Sequence, residues 1–354
     1  MLSGEIRSQI DISRPVLLAH DLSFNGASIA LLHLAQSLDR LGHPPVVFCL
    51  HDGPLRILFD KIGIPIVQSV NRKEISFAIA NTILQIERGL KGKLEGINTA
   101  IWIHETRNTL PILKVDLLSS GIDRFDLIAH PALFQRQEMI DAFPDAPVFQ
   151  LRNHVIQPYF RLPTTMAAFA MVGSYENRKG QDRLLSLVRE SSSKCNLLFV
   201  GASQPTTFCP SAAGCTWQFT GKIPPDDAKK AIASCDGLIS CSTEEVQPLA
   251  VIEALMAGRP VLLSDIKAHR ELADVFSNAF LFDRESASSF ARGLAMLVSA
   301  KNDLAGAATN RELGLRLFGE KAFDERVSEM VAYLLSKSRL PNPFAGKPAR
   351  NTAP

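Results

Sequence analysis

The sequence lacks several patterns by which whole classes of protein are recognised. No apolar run approaches the ~18–20 residues that a membrane-spanning helix needs, and no charged-then-apolar signal opens the chain. The six cysteines form no C-x-x-C pair and no cluster with histidine, so the sequence predicts reduced, buried thiols in the cytoplasm. No Asp-x-Asp metal motif is present, and a net charge of +2 is too small to indicate nucleic acid as a partner.

The sequence also argues against a nicotinamide cofactor. Asn25-Gly26-Ala27 opens a predicted helix, but this turn is not G-x-G-x-x-G. The segment 46–50, where an acidic residue would bind the ribose, is entirely apolar. Gly26 is still a candidate ligand contact, because a residue without a side chain lets the backbone approach a ligand closely.

The order of apolar segments predicts an α/β protein. The 354 residues, 46% of them apolar, are enough for about two domains of ~100–200 residues each. Short apolar strands alternate with amphipathic helices, which is typical of parallel sheets covered on both faces. The first set of predicted strands is 16–19, 46–50, 64–67, 99–103, 126–129 and 148–151. The second set is 167–172, 197–200, 217–219, 238–240, 261–263 and 279–282.

The most informative segment follows the predicted strand 238–240 through a polar turn. Pro248 favours the start of a helix, and Gly258 and Pro260 end it. One carboxylate, Glu245, therefore lies in the turn and a second, Glu253, lies within the helix. A helix N-terminus attracts phosphate, and a nearby carboxylate can accept hydrogen bonds from sugar hydroxyls. The pattern predicts a site for a nucleotide sugar.

The same two carboxylates do not suit a glycosidase. Glycosidases place their carboxyl groups ~5–5.5 Å or ~6.5–9.5 Å apart, according to whether they retain or invert the anomeric configuration. Eight positions of mostly helical chain rise about 12 Å. The spacing of Glu245 and Glu253 therefore argues against hydrolysis by this pair.

This segment resembles the E-x7-E signature of the retaining glycosyltransferases of family 4, which have the GT-B fold. Further segments are similar to landmarks of that family and occur in the expected order. They are Asn25-Gly26-Ala27, Trp102-Ile-His104-Glu105, Gly173-Ser-Tyr-Glu-Asn-Arg178-Lys179-Gly180, Leu198-Phe-Val-Gly201, Phe219-Thr-Gly221-Lys222-Ile223 and His269-Arg-Glu271-Leu272. The resemblance covers about residues 15 to 335, and it is more specific in the C-terminal half.

The resemblance implies two Rossmann-like parallel-sheet domains that face a central cleft. We expect an N-terminal acceptor domain at 1–156, a linker at 157–166 and a C-terminal nucleotide-sugar domain at 167–320. A helix at 321–338 is expected to cross back to the N-terminal domain. The tail at 339–354 is rich in proline and small residues, which predicts disorder.

Roles for individual residues also follow from the resemblance. Glu253 would bind the ribose hydroxyls, Glu245 the donor sugar, and Lys179 the diphosphate of the leaving nucleotide. His104 would donate a hydrogen bond to the sugar or acceptor, with Glu105 beside it to tune the ring. The catalytic candidates are thus His104, Glu245 and Lys179. The full set of expected donor contacts is Gly26, Arg178, Lys179, Gly201, Lys222, Ile223, Glu245, Leu249, Ala250, Val251 and Glu253.

Two positions depart from the family pattern. The family usually has arginine five residues before Lys179, where this chain has Ser174, and Arg178 would compensate with its forked guanidinium. Val246 and Pro248 replace glycines of the family motif, and a proline has no N–H to offer a sugar. The identity of the donor sugar therefore cannot be carried over.

The resemblance implies a metal-independent retaining glycosyltransferase that uses a nucleoside-diphosphate sugar and no cofactor. The acceptor would be a glycan, a lipid-linked glycan or a small molecule, as in polysaccharide biosynthesis. The alternatives are a non-catalytic GT-B partner or glycan-binding subunit, and a GT-B sugar-nucleotide epimerase. Arg88, Lys91 and Lys93 flank an apolar helix predicted at 77–90, so contact with the inner face of a membrane is a further expectation. The oligomeric state is left open.

Overall fold

The computed structural model describes residues 13–94, 96–106, 119–162, 168–204 and 214–336. The chain divides into two compact units. The first comprises residues 1–130, 136–151 and 324–354, and the second comprises residues 131–135 and 152–323. The predicted tail at 339–354 and residues 163–166 of the predicted linker lie outside the described residues.

The first unit is built on a seven-stranded parallel sheet. Its strands are β1 (Arg14–Leu18), β2 (Val46–Phe48), β3 (Ile66–Val67), β4 (Ile75–Asn81), β5 (Thr99–Trp102), β6 (Leu127–His130) and β7 (Val148–Gln150). Its helices are α1 (Gly26–Arg40), α2 (Arg56–Lys61), α3 (Ile86–Leu94) and most of α4 (Leu133–Ala142). The strand order is β3-β2-β1-β4-β5-β6-β7, so the order reverses between β1 and β4.

The second unit is built on a six-stranded parallel sheet. Its strands are β8 (Phe169–Val172), β9 (Leu197–Val200), β10 (Trp217–Phe219), β11 (Gly237–Ser240), β12 (Val261–Ser264) and β13 (Ala279–Phe282). Its helices are α5 (Gln181–Glu190), α6 (Pro225–Ser234), α7 (Leu249–Met256), α8 (Lys267–Ala273), α9 (Ala287–Ala300) and α10 (Leu304–Phe318). The order β10-β9-β8-β11-β12-β13 reverses between β8 and β11.

These two parallel sheets confirm the predicted α/β fold. Apolar residues of β8 and β9, among them Phe169, Leu197 and Phe199, pack against the buried face of α5. Burial of such side chains provides the main free energy for folding. In sheets of this kind, ligands bind beyond the carboxyl ends of the strands, where the strand order reverses.

One prediction about the first unit is wrong. The segment 77–90, predicted as an apolar helix, begins instead as strand β4, and α3 starts only at Ile86. The run from Phe77 to Asn81 is fully buried, because β4 lies between β1 and β5. Arg88 of α3 lies over the ring of Phe48, with its guanidinium carbon 5.8 Å from the ring centroid. The apolar helix on which membrane contact was predicted is therefore absent.

The last helix, α11 (Glu320–Leu335), begins in the second unit and continues in the first from Asp324 onward. Asp324 accepts hydrogen bonds from Arg40 and Ser37 of α1. Arg326 lies over the ring of Phe149, 4.0 Å from its centroid, and donates to the carbonyl of Gln150. These contacts fix the C-terminal end of the described chain on the sheet of the first unit.

No helix among the described residues has the length and apolar character needed to cross a bilayer. The described cysteines are buried free thiols, as predicted, and they are Cys49, Cys195, Cys215, Cys235 and Cys241.

Candidate functional site

The turn that follows β8 runs from Gly173 to Gly180. Gly173 has φ +133°, and a Cβ atom there would lie 3.1 Å from Cε of Lys179. The aliphatic part of the Lys179 side chain therefore passes over the Gly173 backbone. Gln181, which was not predicted as a site residue, fixes the turn by donating from Nε2 to the Ser174 carbonyl at 2.8 Å.

Gly180 brings this turn against the turn that follows β11. It has φ +75°, and a Cβ atom there would lie 2.2 Å from the carbonyl oxygen of Cys241. The Thr243 N–H donates to the Arg178 carbonyl at 2.8 Å, which joins the two turns a second time. Two motifs more than sixty residues apart thus meet at the point where the strand order reverses.

We expect Gly180→Ala to lower the stability of the second unit. The left-handed backbone disfavours any side chain by about 1–3 kcal/mol, and the contact with Cys241 would add to this cost. Gly26→Ala is the matched control, because a Cβ atom at Gly26 meets nothing within 4 Å and alanine favours a helix. Thermal unfolding should give a lower Tm for Gly180→Ala only. An equal loss in both variants would contradict the structural role of Gly180.

The joined turns hold a cluster of charged side chains. Nζ of Lys179 lies 2.7 Å from Oε1 of Glu245, and Nη1 of Arg178 lies 3.4 Å from Oε2. The Ser242 hydroxyl also donates to Oε1 of Glu245 at 2.9 Å. Burial raises the pKa of Glu245, but the charges of Lys179 and Arg178 outweigh it and hold that pKa below its usual value. Glu245 is therefore ionised and paired with both cations.

Arg178 has two more partners. Its Nη2 lies 3.0 Å from Oε1 of Glu176, and its Nη1 donates to the Glu244 carbonyl at 3.1 Å. The side chain is nevertheless 43% exposed, so it remains accessible to a ligand. Lys179 is more enclosed, with 21% of its side chain exposed.

A buried histidine is linked to the Glu245 turn through two serine hydroxyls. His269 of α8 has Nδ1 2.7 Å from the Ser264 carbonyl and Nε2 3.4 Å from the Ser240 hydroxyl. Ser240 in turn lies 3.3 Å from the Ser242 hydroxyl, which contacts Glu245. Burial lowers the pKa of His269 to about 4, so the ring is neutral at pH 7. Sequence reasoning gave no role to this side chain or to Ser242, because neither forms a motif with Glu245.

Helix α7 begins one residue later than predicted. Pro248 is the N-cap rather than the first helical residue. The Val251 N–H donates to the Pro248 carbonyl at 3.0 Å, so the expected free amide of Val251 is already occupied. The N–H groups of Leu249 and Ala250 make no hydrogen bond within the described part of the chain. Two of the three predicted phosphate donors remain available at this helix N-terminus.

Glu253 differs from Glu245 in having no hydrogen-bond partner for its carboxyl group in the part of the chain that the structure describes. It lies on α7 and is half-buried, and its side chain makes no hydrogen bond within the described residues. Burial raises its pKa to about 7, and the charge of Lys229 on α6 offsets only part of that rise. A carboxyl that is partly removed from water and lacks a donor within the protein can accept hydrogen bonds from a bound molecule. Its raised pKa and its lack of a partner among the described residues make Glu253 a candidate ligand contact.

The other predicted donor contacts lie at neighbouring strand ends. Gly201, which has φ +85°, follows β9, and its N–H donates to Oγ1 of Thr220 at 3.0 Å. Lys222 follows β10 and is exposed, and Ile223 packs against a small apolar cluster that includes Val200. No contact within the described residues joins Lys222 to the Lys179–Glu245 pair. These residues and the charged cluster lie at the same carboxyl edge of the sheet, but within the described structure the two groups do not contact each other.

The first unit places its predicted residues beyond β1 and β5. Asn25 caps α1 by accepting from the Ser28 N–H, and Gly26 is exposed. His104 is half-buried against Trp102, with ring centroids 4.5 Å apart. Glu105 was expected to lie beside the His104 ring. Its Oε2 instead accepts a hydrogen bond from the backbone N–H of His104 at 3.0 Å.

The ring is held instead by Asn81, at the end of β4. Oδ1 of Asn81 lies 3.0 Å from Nε2 of His104. Sequence reasoning missed Asn81 because it assigned that segment to a helix, where its side chain would not meet a strand end. Among the described residues, no group of three or more His, Cys, Asp or Glu side chains could hold a metal ion.

Comparison with known proteins finds similarity to glycosyltransferases in part of the sequence and in the fold. Residues 156–312 match the family model described as Glycosyl transferases group 1. No curated protein matches the sequence. The crystal structure of Anabaena HepE in complex with UDP-glucose is similar at TM-score 0.72 and 15% identity, over 90% of this chain and 99% of that one.

Two further solved structures have the same architecture. Sucrose-phosphate synthase from Thermosynechococcus elongatus is similar at TM-score 0.69 and 14% identity, over 92% of this chain and 100% of that one. The lipopolysaccharide outer core galactosyltransferase WaaB is similar at TM-score 0.69 and 13% identity, over 91% and 99%. The fold is GT-B. At these identities the similarity shows the fold alone. The two separate parallel sheets are the two sheets of that fold.

Proposed function

We propose that this GT-B protein is a cytoplasmic, retaining glycosyltransferase of family 4 that needs neither metal nor cofactor. It would transfer a sugar from a nucleoside diphosphate to a glycan, a lipid-linked glycan or a small-molecule acceptor. The observation that supports this most is Glu253, a half-buried carboxyl with a raised pKa and without a hydrogen-bond partner in the described residues. The two hydroxyls of a ribose would supply the missing donors.

The charged cluster suits the rest of a sugar nucleotide. Lys179 and Arg178 would bind the diphosphate, together with the N–H groups of Leu249 and Ala250. Glu245, now paired with Lys179, would accept hydrogen bonds from hydroxyls of the donor sugar. Ligand binding thus exchanges one set of partners for another, which leaves no buried charge unpaired.

The proposed reaction is a front-face substitution. The bond between the anomeric carbon and the β-phosphate oxygen breaks while the acceptor oxygen forms its bond on the same face. The acceptor proton passes to the departing phosphate oxygen, and Lys179 and Arg178 stabilise the negative charge that develops on the nucleoside diphosphate. No carboxylate acts as nucleophile, so the configuration is retained without a covalent intermediate.

A donor screen tests the proposal. UDP and UDP-glucose are the first ligands to examine, since HepE is similar in fold and holds UDP-glucose. We expect one nucleoside diphosphate and its sugars to raise Tm, and we expect release of that diphosphate only when an acceptor is added. The anomeric proton of the product, observed by NMR, should show the configuration of the donor.

The alternatives give different results in the same assay. An epimerase would convert the sugar nucleotide without an acceptor. A non-catalytic subunit would bind the donor but not turn it over with any acceptor, and the departures at Ser174 and Pro248 favour this alternative. Stabilisation by no nucleotide at all would contradict the proposed function.

Turnover is expected to survive chelation. In the proposed reaction, Lys179 and Arg178 carry the charge of the diphosphate, a task that a divalent cation performs in other enzymes. Initial rates should therefore change less than about twofold after dialysis against EDTA. A large loss that Mg²⁺ or Mn²⁺ restores would refute metal independence.

A further inference from the structure

Asn81 is a buried side chain with two hydrogen-bond partners near the predicted ligand edge of the first sheet. It ends β4 and is 2% exposed. Its Nδ2 donates to the Ala27 carbonyl at 3.1 Å, and its Oδ1 lies 3.0 Å from Nε2 of His104. Asn81 therefore connects the turn that opens α1 with the ring of His104.

The Ala27 carbonyl decides which way the Asn81 amide points. A carbonyl oxygen only accepts hydrogen bonds, so it must face the NH₂ group of the amide. The amide oxygen then faces His104, and this oxygen also only accepts. The hydrogen between the two side chains must therefore belong to Nε2 of His104.

The other ring nitrogen of His104 is left with a lone pair. Burial lowers the pKa of His104 to about 3, so the ring carries one hydrogen at pH 7. Because that hydrogen is on Nε2, Nδ1 can only accept. Nδ1 makes no hydrogen bond within the described residues, although the ring is half-buried. Contact with Trp102 holds the ring in this orientation.

We propose that Asn81 is a positioning residue that fixes His104 as a hydrogen-bond acceptor, with Nδ1 directed to a hydroxyl of the transferred sugar. This inference deepens the proposed function and rests on it. It reverses the sequence-based expectation that His104 donates. A hydroxyl can donate to Nδ1, whereas a deprotonated carboxylate or phosphate cannot. The site would therefore accept a sugar with a free hydroxyl at this point and reject one that carries an anionic group there.

The tautomer can be measured without any substrate. Long-range ¹H–¹⁵N correlation spectra of the ¹⁵N-histidine-labelled protein at pH 7, assigned with His104→Gln, should show hydrogen on Nε2 of His104. Asn81→Leu removes the acceptor, so both tautomers should then be populated. Asn81→Asp keeps an oxygen towards the ring, and Nε2 should keep its hydrogen. A wild-type ring with hydrogen on Nδ1 overturns the proposal, whatever the activity.

Kinetics separate positioning from a structural role. We expect Asn81→Leu to lower kcat/KM at least about tenfold, with the Kd for the nucleoside diphosphate changed less than about twofold. Asn81→Asp should recover much of the loss. Asn71→Leu is the control, since Asn71 lies in an exposed turn of the same unit. Unchanged transfer by Asn81→Leu would overturn the positioning role. If the wild-type protein transferred sugar from no donor, the proposed function would be wrong. The tautomer of His104 would still be established by the NMR measurement.

Discussion

Replacing Lys179 with alanine is expected to lower kcat by about 100- to 1,000-fold. Lys179 lies over Gly173 and reaches Glu245, so its ammonium group is held where the diphosphate is proposed to bind. Charge develops on the leaving phosphate in the transition state, and a fixed cation stabilises it there more than in the bound donor. Steady-state rates at saturating donor measure the effect.

Two controls make this result specific. Lys230→Ala removes an exposed lysine of the same unit that pairs with Asp226 and Asp227, and it should leave kcat unchanged. Calorimetric affinities for the nucleoside diphosphate and monophosphate should show a larger loss for the diphosphate in Lys179→Ala. Equal losses for both nucleotides would indicate general damage to the turn.

Glu253→Ala is expected to weaken binding of the nucleoside diphosphate by about 10- to 150-fold. A hydrogen bond to a charged group contributes about 1.5–3 kcal/mol, and the alanine variant loses its carboxylate altogether. Glu312→Ala, which removes an exposed helical carboxylate of the same unit, is the matched control. Unchanged affinity in Glu253→Ala would refute the ribose assignment.

The raised pKa of Glu253 gives this residue a second signature. Burial raises its pKa to about 7, and hydrogen bonds from ribose hydroxyls would favour the charged form and lower that pKa. Binding near pH 7 should then release part of a proton. The observed enthalpy of binding should differ between two buffers of different ionisation enthalpy, and this difference should vanish in Glu253→Gln.

The same pKa affects stability. The unfolded chain loses the Glu253 proton near its usual pKa of 4.5, whereas the folded protein keeps it up to about pH 7. Between these values the folded state binds more protons, so stability falls as pH rises from 4.5 through 7. Glu253→Gln should therefore raise the free energy of unfolding at pH 8 by up to about 3 kcal/mol. At pH 4, where both states are protonated, the difference should be small.

The sequence predicts the fold well where strands are flanked by clear turn and helix signals. The segment from Glu245 to Gly258 is an example, because proline and glycine mark the ends of its helix. The prediction fails at β4, where the four residues from Phe77 to Ala80 are apolar without alternation. A strand buried on both faces loses the two-residue period, so such a run cannot be told from a buried helix. Asn81 was missed with it.

Contacts between distant turns could not be predicted either. The pairing of Lys179 with Glu245 depends on the left-handed backbone at Gly180 and on its contact with Cys241, which the order of residues does not reveal. The occupied amide of Val251 depends on the φ and ψ of Pro248. Sequence reasoning thus identified which residues carry the chemistry but not which of them are already engaged with one another.

The pairing of charges in the phosphate turn has a consequence for ligand capture. Arg178 and Lys179 carry two positive charges, and Glu176 and Glu245 carry two negative ones, so the four cancel. A neutral turn creates little long-range field, and electrostatic steering of anions towards it is weak. An anion that draws Lys179 away from Glu245 breaks a charged pair, whereas the hydroxyls of a sugar nucleotide would replace the lost partner of Glu245. Because the turn is neutral, the association rate of its ligand should depend little on ionic strength.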